Sequence, residues 1–277
     1  MKFGPRAGRG TAWPIPRRFA LALVLALFAG TAQADFAAGW QAYQQGDFAT
    51  ALKEWQPLAD SGDARAQYSL GVMHDQGKGV ARDQALAVTW WRRAAEQGMV
   101  EAQHNLASSY IAGDGVENDP SAAVPWLEMA AKQGFARSEY TLGKMYSAGI
   151  GVPQDQRTAF ELILSAARHD NVRAQYNLGK MYRDGVGAEP NLEQSVRWYR
   201  AAADRGYAKA QAGLGQRYAG GEGIAKDMVQ ALFWTILAAD QKHDRAIDAR
   251  KTLAGGMTAA DVAAAENLAR DWRPVSN

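Results

Sequence analysis

The sequence has no cysteine in 277 residues and only four histidines. Without cysteine the chain forms no disulfide and has no thiol nucleophile, so cysteine usage does not indicate a cellular compartment. The histidines, His74, His104, His169 and His243, belong to no HExxH metal motif, and the G-x-S-x-G motif of serine hydrolases is also missing. These absences predict no catalytic residue, no metal and no cofactor, and a structural or surface role for each histidine.

Long apolar runs are also scarce. The run at residues 19–29 has 11 residues, whereas a helix that spans a bilayer needs roughly 18 or more. Five basic residues and no acidic residue precede this run, and the small-residue sequence Ala32-Gln33-Ala34 follows it. This order is typical of a secretory signal peptide. We predict a signal peptide over residues 1–34, cleaved after Ala34, and therefore a periplasmic protein or one that is exported further.

The basic charge of the whole chain comes from this segment. Removing residues 1–34 takes five basic residues from the total of 31 and leaves 26 against 29 acidic residues, a net charge of −3. The remaining chain has neither a basic stripe typical of nucleic-acid binding nor a basic amphipathic helix typical of membrane surfaces. We therefore expect no nucleic-acid partner and no stable membrane span after cleavage.

What the sequence does contain is a pattern of 36 residues that occurs five times, beginning at residues 63, 99, 135, 171 and 207 without insertion or deletion. A fixed period of this length indicates a stacked repeat array. Small residues lie four positions before a leucine in every copy, a spacing that places both on one apolar helix face. The leucines are Leu70, Leu106, Leu142, Leu178 and Leu214.

Glycines and capping residues divide each copy into two helices. A glycine follows the leucine in four copies, inside the helix, where it costs about 1 kcal/mol relative to alanine. We therefore expect a neighbouring helix to approach closely there. Paired glycines such as Gly149 and Gly151 then end the first helix, because the first of each pair can take the left-handed C-cap conformation. An aspartate or asparagine six residues after it, such as Asp155, is an N-cap for the second helix.

The combined pattern, AxxQYxLGxMYxxGxGVxxD followed by AxxWxxxAAxxG, resembles the Sel1-like repeat, a longer-looped relative of the tetratricopeptide repeat. The resemblance covers residues 63–242 and implies an all-α fold, a right-handed α-solenoid of stacked helix–loop–helix repeats. Pro125 lies inside a second helix and is expected to delay or kink the start of that helix. Other departures leave the fold assignment unchanged: His74, His104 and Ala212 occupy tyrosine positions, and Asp170 replaces a helix-ending glycine.

The segments on either side of the five repeats depart from the pattern. Residues 35–62 form a shorter helix pair that resembles a tetratricopeptide unit and, as the first unit, has one face without a neighbour. Residues 243–277 are predicted to be a C-terminal cap of two helices, the first beginning near Asp244. Together the exported chain is expected to contain about 14 helices.

Within this predicted cap, Gly255-Gly256 ends the first helix. Thr258, with Asp261 three residues later, resembles a capping box that opens the final helix. We expect the apolar residues of that helix to cover the last repeat. They are Val262, Leu268 and Trp272.

An open solenoid offers a long surface that suits a peptide or protein partner. Together with the resemblance, this predicts a non-catalytic protein–protein interaction scaffold or regulator in the periplasm or cell envelope, with an envelope or sensor protein as its partner. The alternative is a cell-wall or β-lactam-active hydrolase, because some cysteine-rich relatives are credited with such activity. Disulfides clamp the helix pairs of those relatives, and this chain cannot form them.

The partner-binding surface is predicted on the first helix of each repeat, which the resemblance places on the concave side of the solenoid. If positions 66, 70 and 73 face the core, positions 65, 69 and 72 form a separate polar ridge. This ridge has six basic residues and one acidic residue, which favours an acidic or carboxylate-bearing partner segment. Ordinary solvated helix positions are the alternative interpretation. The candidate partner-binding residues are Arg65, Asn105, Arg137, Lys144, Arg173, Asn177, Lys180, Lys209 and Gln216.

Overall fold

The computed structural model describes residues 36–275, and the predicted signal peptide of residues 1–34 lies outside this range. Within the described range the chain forms 14 helices and no β-strand, which confirms the predicted all-α solenoid. Helix α1 covers residues 36–44. The helices that follow are α2 (Phe48–Asp60), α3 (Ala64–Gln76), α4 (Gln84–Glu96), α5 (Val100–Ala112), α6 (Pro120–Lys132), α7 (Ala136–Ala148), α8 (Gln156–Arg168), α9 (Val172–Asp184), α10 (Leu192–Asp204), α11 (Ala208–Gly220), α12 (Met228–Asp240), α13 (Asp244–Gly255) and α14 (Ala259–Asp271).

The predicted capping residues set the helix ends. Asp83 accepts a hydrogen bond from the Leu86 amide at 2.9 Å, and Asn191 accepts one from the Gln194 amide at 2.9 Å. The first helix of each repeat ends at a glycine with φ between 66° and 79°, the left-handed conformation expected of a C-cap. Each repeat is therefore a complete helix–loop–helix unit.

The glycine inside the first helix admits the second helix of the same repeat. A Cβ atom at Gly71 would lie 2.4 Å from the Trp91 ring, and one at Gly179 would lie 2.9 Å from the Tyr199 ring. Because both distances are shorter than an ordinary van der Waals contact, a larger residue would push the helices apart. The expected close approach of neighbouring helices is confirmed.

The second glycine of each loop joins successive repeats. Gly187 has a φ of 76°, and a Cβ atom there would lie 2.1 Å from the carbonyl oxygen of Gln156, the first residue of α8 in the preceding repeat. Cβ atoms added at Gly115 and Gly223 would lie 2.2 and 2.3 Å from the carbonyl oxygens of the first residues of α4 and α10. Each loop therefore rests on the N-terminus of the preceding second helix.

The hydrophobic core runs along the stack. Ala66, Leu70 and Met73 of α3 are fully buried, which confirms the predicted core face of the first helix. From α2 to α13 each helix packs against the next one in the chain. Each repeat therefore buries its apolar side chains against its neighbours, as repeat arrays require.

The prediction that Pro125 delays its helix is wrong. Helix α6 begins at Pro120, as the second helices of the other repeats do at the equivalent position. Asp119 accepts hydrogen bonds from the Ser121 and Ala122 amides and fixes this start, and Pro120 fits the first helical position. The Pro125 ring is exposed, so it displaces no core side chain.

The last two helices pack on the last repeat. Both α13 and α14 contact α12, and the Trp272 ring lies edge-to-face with Trp234 at a centroid distance of 6.5 Å. The Val275 amide also donates a hydrogen bond to the carbonyl oxygen of Asp204 at 2.8 Å. The C-terminal segment is thereby attached to α10 as well as to α12.

One residue predicted to cover the last repeat does not do so. Val262 and Trp272 pack against the core cluster of the last repeat, as expected, but Leu268 is 43% exposed. The prediction for Leu268 is wrong because the inward face of α14 runs through Val262, Ala265 and Ala269, at spacings of three and four residues, and Leu268 lies beside that face.

Candidate partner-binding face

The candidate residues lie on α3, α5, α7, α9 and α11, and we call the surface that these helices share the first-helix face. Side chains of successive first helices meet across it, since Asn177 Nδ2 on α9 donates a hydrogen bond to the Tyr140 hydroxyl on α7 at 2.9 Å. Five candidates are exposed, namely Arg137, Lys144, Arg173, Lys209 and Gln216, and four are half-buried, namely Arg65, Asn105, Asn177 and Lys180.

Arg65 differs from the other basic candidates because its charge is already engaged. Its guanidinium forms an ion pair with Asp63 at 3.0 Å and lies 4.5 Å from the centre of the Phe36 ring. Asp63 is also the N-cap of α3. Arg65 therefore contributes to packing at the start of the array, and its charge is less available to a partner.

Half-buried tyrosines lie beside the basic residues, and sequence reasoning did not include them in the site. Asn105 hydrogen-bonds to Tyr68, and the Arg137 charge acts on the same hydroxyl. Asn177 joins Tyr140 to the next repeat in the same way. The sequence shows that tyrosine recurs at this position. Its contacts with the following repeat are visible only in the folded structure.

Burial keeps the aromatic side chains of this face uncharged. It raises the pKa values of Tyr68, Tyr140 and Tyr176 above the ordinary value. Burial also lowers the pKa of His104, which occupies a tyrosine position, to about 4, with a further contribution from the Arg137 charge. The face therefore presents neutral rings between positively charged side chains near neutral pH.

Three candidates line one small cavity of about 160 Å³ between α7 and α9. They are Lys144, Asn177 and Lys180. Asp184 lines the same cavity, and an ion pair with Arg183 at 2.6 Å holds its pKa below the usual range. The charge of this part of the face is thus mixed, with an ionised carboxylate among the basic groups.

Two further candidates, Lys209 and Gln216, line a larger open cleft of about 740 Å³. We call it the terminal cleft, because it lies between α11 of the last repeat and α13. Tyr176 and Tyr199 contribute to its wall. Burial raises the pKa of Tyr199 to about 12, so its ring and hydroxyl are neutral.

A row of buried amide side chains supports the first-helix face from behind. The Gln103 amide donates to the carbonyl oxygen of Ala95 at 3.2 Å, and its oxygen accepts a hydrogen bond from Gln133 at 3.1 Å. Glu139 replaces glutamine in the third repeat; it accepts a hydrogen bond from the Ser165 hydroxyl at 2.7 Å and lies 2.9 Å from His169 Nδ1. The Gln103 amide thus connects α5 to the preceding repeat, and the other contacts connect the two helices of one repeat.

Two histidines have structural roles, as predicted. His169 is half-exposed but forms the contact with buried Glu139 described above. His104 is buried, and its Nδ1 lies 3.0 Å from the Ser138 hydroxyl of the next repeat. His104 therefore connects two repeats, whereas His169 connects the two helices of the third repeat.

Within residues 36–275, no cluster of three or more histidine, aspartate or glutamate side chains has the geometry to hold a metal ion. No helix in the same range combines the length and the apolar character needed to cross a bilayer.

The fold and this face define an all-helical repeat protein whose first helices form one continuous polar surface. Comparison with protein-family models matches five consecutive Sel1 repeats, at residues 64–99, 100–135, 136–171, 172–207 and 208–243. The chain belongs to the Sel1 repeat family. Proteins with these repeats are generally protein-interaction scaffolds, and the fold is typically non-catalytic.

Solved structures support the same assignment. A protective antigen of uropathogenic Escherichia coli strains, which displays an SLR fold, is 32% identical, with a TM-score of 0.80 over 90% of this chain and 55% of that chain. A Sel1 repeat protein from Oxalobacter formigenes is 31% identical, with a TM-score of 0.70 over 74% of this chain and 84% of that chain. The chain spans about half the length of the Escherichia coli antigen. No curated protein matches it.

Proposed function

We propose that the exported chain is a non-catalytic interaction scaffold or regulator of the periplasm or cell envelope that binds an acidic segment of a partner protein along its first-helix face. One observation carries this proposal. Arg137, Lys144, Arg173 and Lys209 are exposed on one face, and none of them forms an ion pair within residues 36–275. An acidic segment would meet uncompensated positive charge in successive repeats.

The tyrosines beside these residues add a second component to binding. Tyr68, Tyr140 and Tyr176 are half-buried, so each presents part of a neutral ring to solvent. Tyrosine is enriched at protein interfaces because it combines an apolar ring with a hydrogen-bonding hydroxyl. The proposed partner segment therefore has carboxylates that interact with the basic side chains and apolar groups that contact the rings.

A charge-reversal variant tests this surface. We expect the joint replacement of Arg137, Lys144, Arg173 and Lys180 by glutamate to weaken capture of envelope partners and to reduce the salt dependence of what remains. Tagged wild-type and variant proteins would be incubated with solubilised envelope at low and high salt, and the captured proteins quantified. Circular dichroism checks that the variant keeps its helical content.

A matched variant controls for net charge. Lys53, Lys132, Arg168 and Lys226 are also exposed, and their replacement by glutamate changes the charge by the same amount away from the candidate residues. We expect this control to capture partners as the wild type does. Undiminished capture by the folded first-helix variant would contradict the proposed surface, and equal loss in both variants would indicate a general charge effect.

Export through a cleaved signal peptide is part of the proposal. The basic, apolar and small-residue order of residues 1–34 supports it. We expect N-terminal sequencing of the protein from its own cells to begin at Asp35, with the protein in the periplasmic fraction. Recovery from membranes with Lys2 intact would instead indicate an uncleaved anchor.

The absence of catalysis needs a test of its own. We expect the purified protein to hydrolyse neither a chromogenic β-lactam nor peptidoglycan above the rate of a heat-denatured control. Turnover that one point substitution abolishes would replace the scaffold proposal with the hydrolase alternative.

A further inference from the structure

The terminal cleft is larger than the cavity that lies between α7 and α9 on the first-helix face. Its volume of about 740 Å³ is far larger than the 160 Å³ of the cavity beside Lys144, and it lies within the range of roughly 300–1,000 Å³ that is typical of ligand pockets. Side chains from α9, α10, α11 and α13 line it, and so does Thr235 of α12. A cleft of this size accommodates one or two amino-acid side chains.

Three small residues of the last repeat open this cleft. Ala212 stands where Tyr68, Tyr140 and Tyr176 stand in other copies. In the fourth repeat, by contrast, the Tyr176 ring fills the corresponding space and contacts the Tyr199 and Tyr207 rings at centroid distances of 5.7 and 5.4 Å. The other two small residues of the last repeat are Gly213, where an earlier copy has Asn177, and Thr235, where an earlier copy has Tyr199.

The cleft has an aromatic side. A Cβ atom at Gly213 would lie 3.5 Å from the Tyr199 ring, so the glycine leaves one edge of that ring uncovered by any side chain at position 213. Tyr176 lies beside Tyr199 and also lines the cleft. Two neutral rings in contact form an apolar platform for an aliphatic or aromatic group.

The rest of the lining is predominantly basic. Lys209, Lys242 and Arg245 line the cleft, and none of them forms an ion pair within residues 36–275. Asp244 is an acidic lining residue, and Arg183, whose charge is balanced by Asp184, is a fourth basic one. The cleft therefore has a surplus of positive charge on a protein whose exported chain is net negative.

Lys242 lies at a strained backbone position. Its φ is 62°, in the left-handed region that glycine occupies at the equivalent Gly98, Gly134 and Gly206. A lysine is less stable than glycine in this conformation. The position nevertheless places a cationic side chain among the residues that line the cleft.

We propose that the terminal cleft binds an acidic peptide segment in which an apolar side chain lies next to a carboxylate. The apolar side chain packs on Tyr176 and Tyr199, and the carboxylate interacts with Lys209, Lys242 and Arg245. A peptide fits better than a free small molecule because Lys209 and Gln216 also belong to the first-helix face, so the cleft continues the surface of the preceding repeats. The inference rests on the proposed function and identifies one anchoring point within it.

Fluorescence anisotropy with defined peptides tests this directly. The probe is a fluorescein-labelled hexapeptide of alternating glutamate and phenylalanine, and matched peptides carry lysine for glutamate or serine for phenylalanine. We expect the purified protein to bind the first peptide at least tenfold more tightly than either matched peptide. Equal binding of the lysine peptide, or no binding of the glutamate–phenylalanine peptide, would overturn the proposal.

Two variants locate the binding in the cleft. Ala212→Tyr restores the side chain of the other repeats and fills the space, and we expect it to weaken binding at least tenfold. The double variant Lys209→Glu/Arg245→Glu, which leaves the core unchanged, should lower affinity by a similar factor. Lys251→Glu, on α13 but outside the cleft, is the control and should change affinity less than twofold.

The outcomes separate this inference from the proposed function. The cleft is not the binding site if folded Ala212→Tyr binds the glutamate–phenylalanine peptide as tightly as the wild type does. If Ala212→Tyr does not fold, the same result in the double variant overturns the cleft. Suppose that the cleft variants keep their peptide affinity, while replacement of Arg137, Lys144, Arg173 and Lys180 by glutamate still weakens envelope capture. The first-helix face is then a partner surface that does not include the cleft. Peptide binding that depends on the cleft, combined with undiminished envelope capture by that charge-reversed variant, supports the cleft and contradicts the wider surface.

Discussion

At the scale of single residues, the chain departs from its own repeat in ways that have local compensation. Asp170 takes the left-handed conformation with a φ of 60° where other copies have glycine, and it forms an ion pair with Arg205. Glu139 replaces a buried glutamine and gains contacts with Ser165 and His169. The altered residue in each case has an opposite charge or a hydrogen-bond donor within reach, so the repeat geometry is kept.

Protonation of His104 should destabilise the fold. Its folded-state pKa is about 4, below the ordinary histidine value of 6.5, so the unfolded chain binds the proton more tightly. The stability is complete above the unfolded pKa and is lost as the pH falls toward 4. We expect wild type to lose roughly 2 kcal/mol more than His104→Gln between pH 7.5 and pH 4.5. Urea unfolding of both proteins at the two pH values measures this, and parallel pH profiles would contradict it.

Some glycines with a left-handed backbone only end a helix, whereas others also contact the preceding repeat. A matched pair of alanine substitutions measures the difference in their contribution to stability. Gly98 has a φ of 89° with nothing within 4 Å of an added Cβ, whereas the Cβ of Gly187→Ala would lie 2.1 Å from a carbonyl oxygen of the preceding repeat. Gly98→Ala should cost about 1 kcal/mol of unfolding free energy from backbone strain alone. Gly187→Ala should cost about 3 kcal/mol or more, because the loop must also move away from α8. Equal losses in chemical denaturation would show that the loop contact does not constrain the stack.

At the scale of helices, buried polar side chains connect the two helices of a repeat and also connect neighbouring repeats. Gln103 donates a hydrogen bond to the carbonyl oxygen of Ala95 in the preceding repeat and accepts one from Gln133 of its own repeat. Glu139 instead contacts Ser165 and His169 of its own repeat. A buried polar group is stabilising only when its partners are present. The packing of the two helices in a repeat therefore depends on side chains that lie about 30 residues apart in the sequence.

Substitutions of Glu139 test the contact between α7 and α8 of the third repeat. Glu139→Leu removes the acceptor of the half-buried Ser165 hydroxyl and of His169, and it should cost about 1–3 kcal/mol because these groups lose their partner. Glu139→Gln, the residue of the other repeats, retains an acceptor and should cost less than about 1 kcal/mol. Thermal or urea unfolding distinguishes the two. Equal losses in the two variants would mean that charge, rather than hydrogen bonding, stabilises this helix pair.

At the scale of the whole molecule, a solenoid has no closed core, and its ends need protection. Helix α12 is buried on all sides from Ala231 to Ala238 because both α13 and α14 pack on it. Helix α13 also forms one wall of the terminal cleft. The C-terminal helices thus stabilise the array, and α13 shapes the terminal cleft.

Removing the C-terminal segment should expose this helix. Deleting residues 243–277 leaves Trp234 and Leu237 without the covering helices, and we expect a lower melting temperature and aggregation at concentrations where the full protein is soluble. Trp272→Ala, which removes one covering side chain, should show an intermediate loss of stability. Unchanged melting temperature and solubility in the deletion variant would show that residues 243–277 are not a cap.

The sequence by itself determined the repeat length, the helix positions and most helix ends. These features depend on residues that are close in the chain, such as the Asp83 side chain and the Leu86 amide three positions later. The apolar spacing of Ala66 and Leu70 likewise predicted a core face that the structure confirms. Local hydrogen bonds and helical periodicity are sufficient for predictions of this kind.

Only the tertiary structure decided the features that depend on contacts between repeats. The role of Gly187 follows from its contact with α8, and the exposure of Pro125 was also not visible in the sequence. The candidate residues were correctly placed on one set of helices, but the contact of Arg65 with the Phe36 ring and the terminal cleft could not be predicted. The missing tyrosine at position 212 opens the cleft without altering any local pattern, because the cleft residues Tyr176 and Arg245 lie more than 30 positions away from it in the sequence.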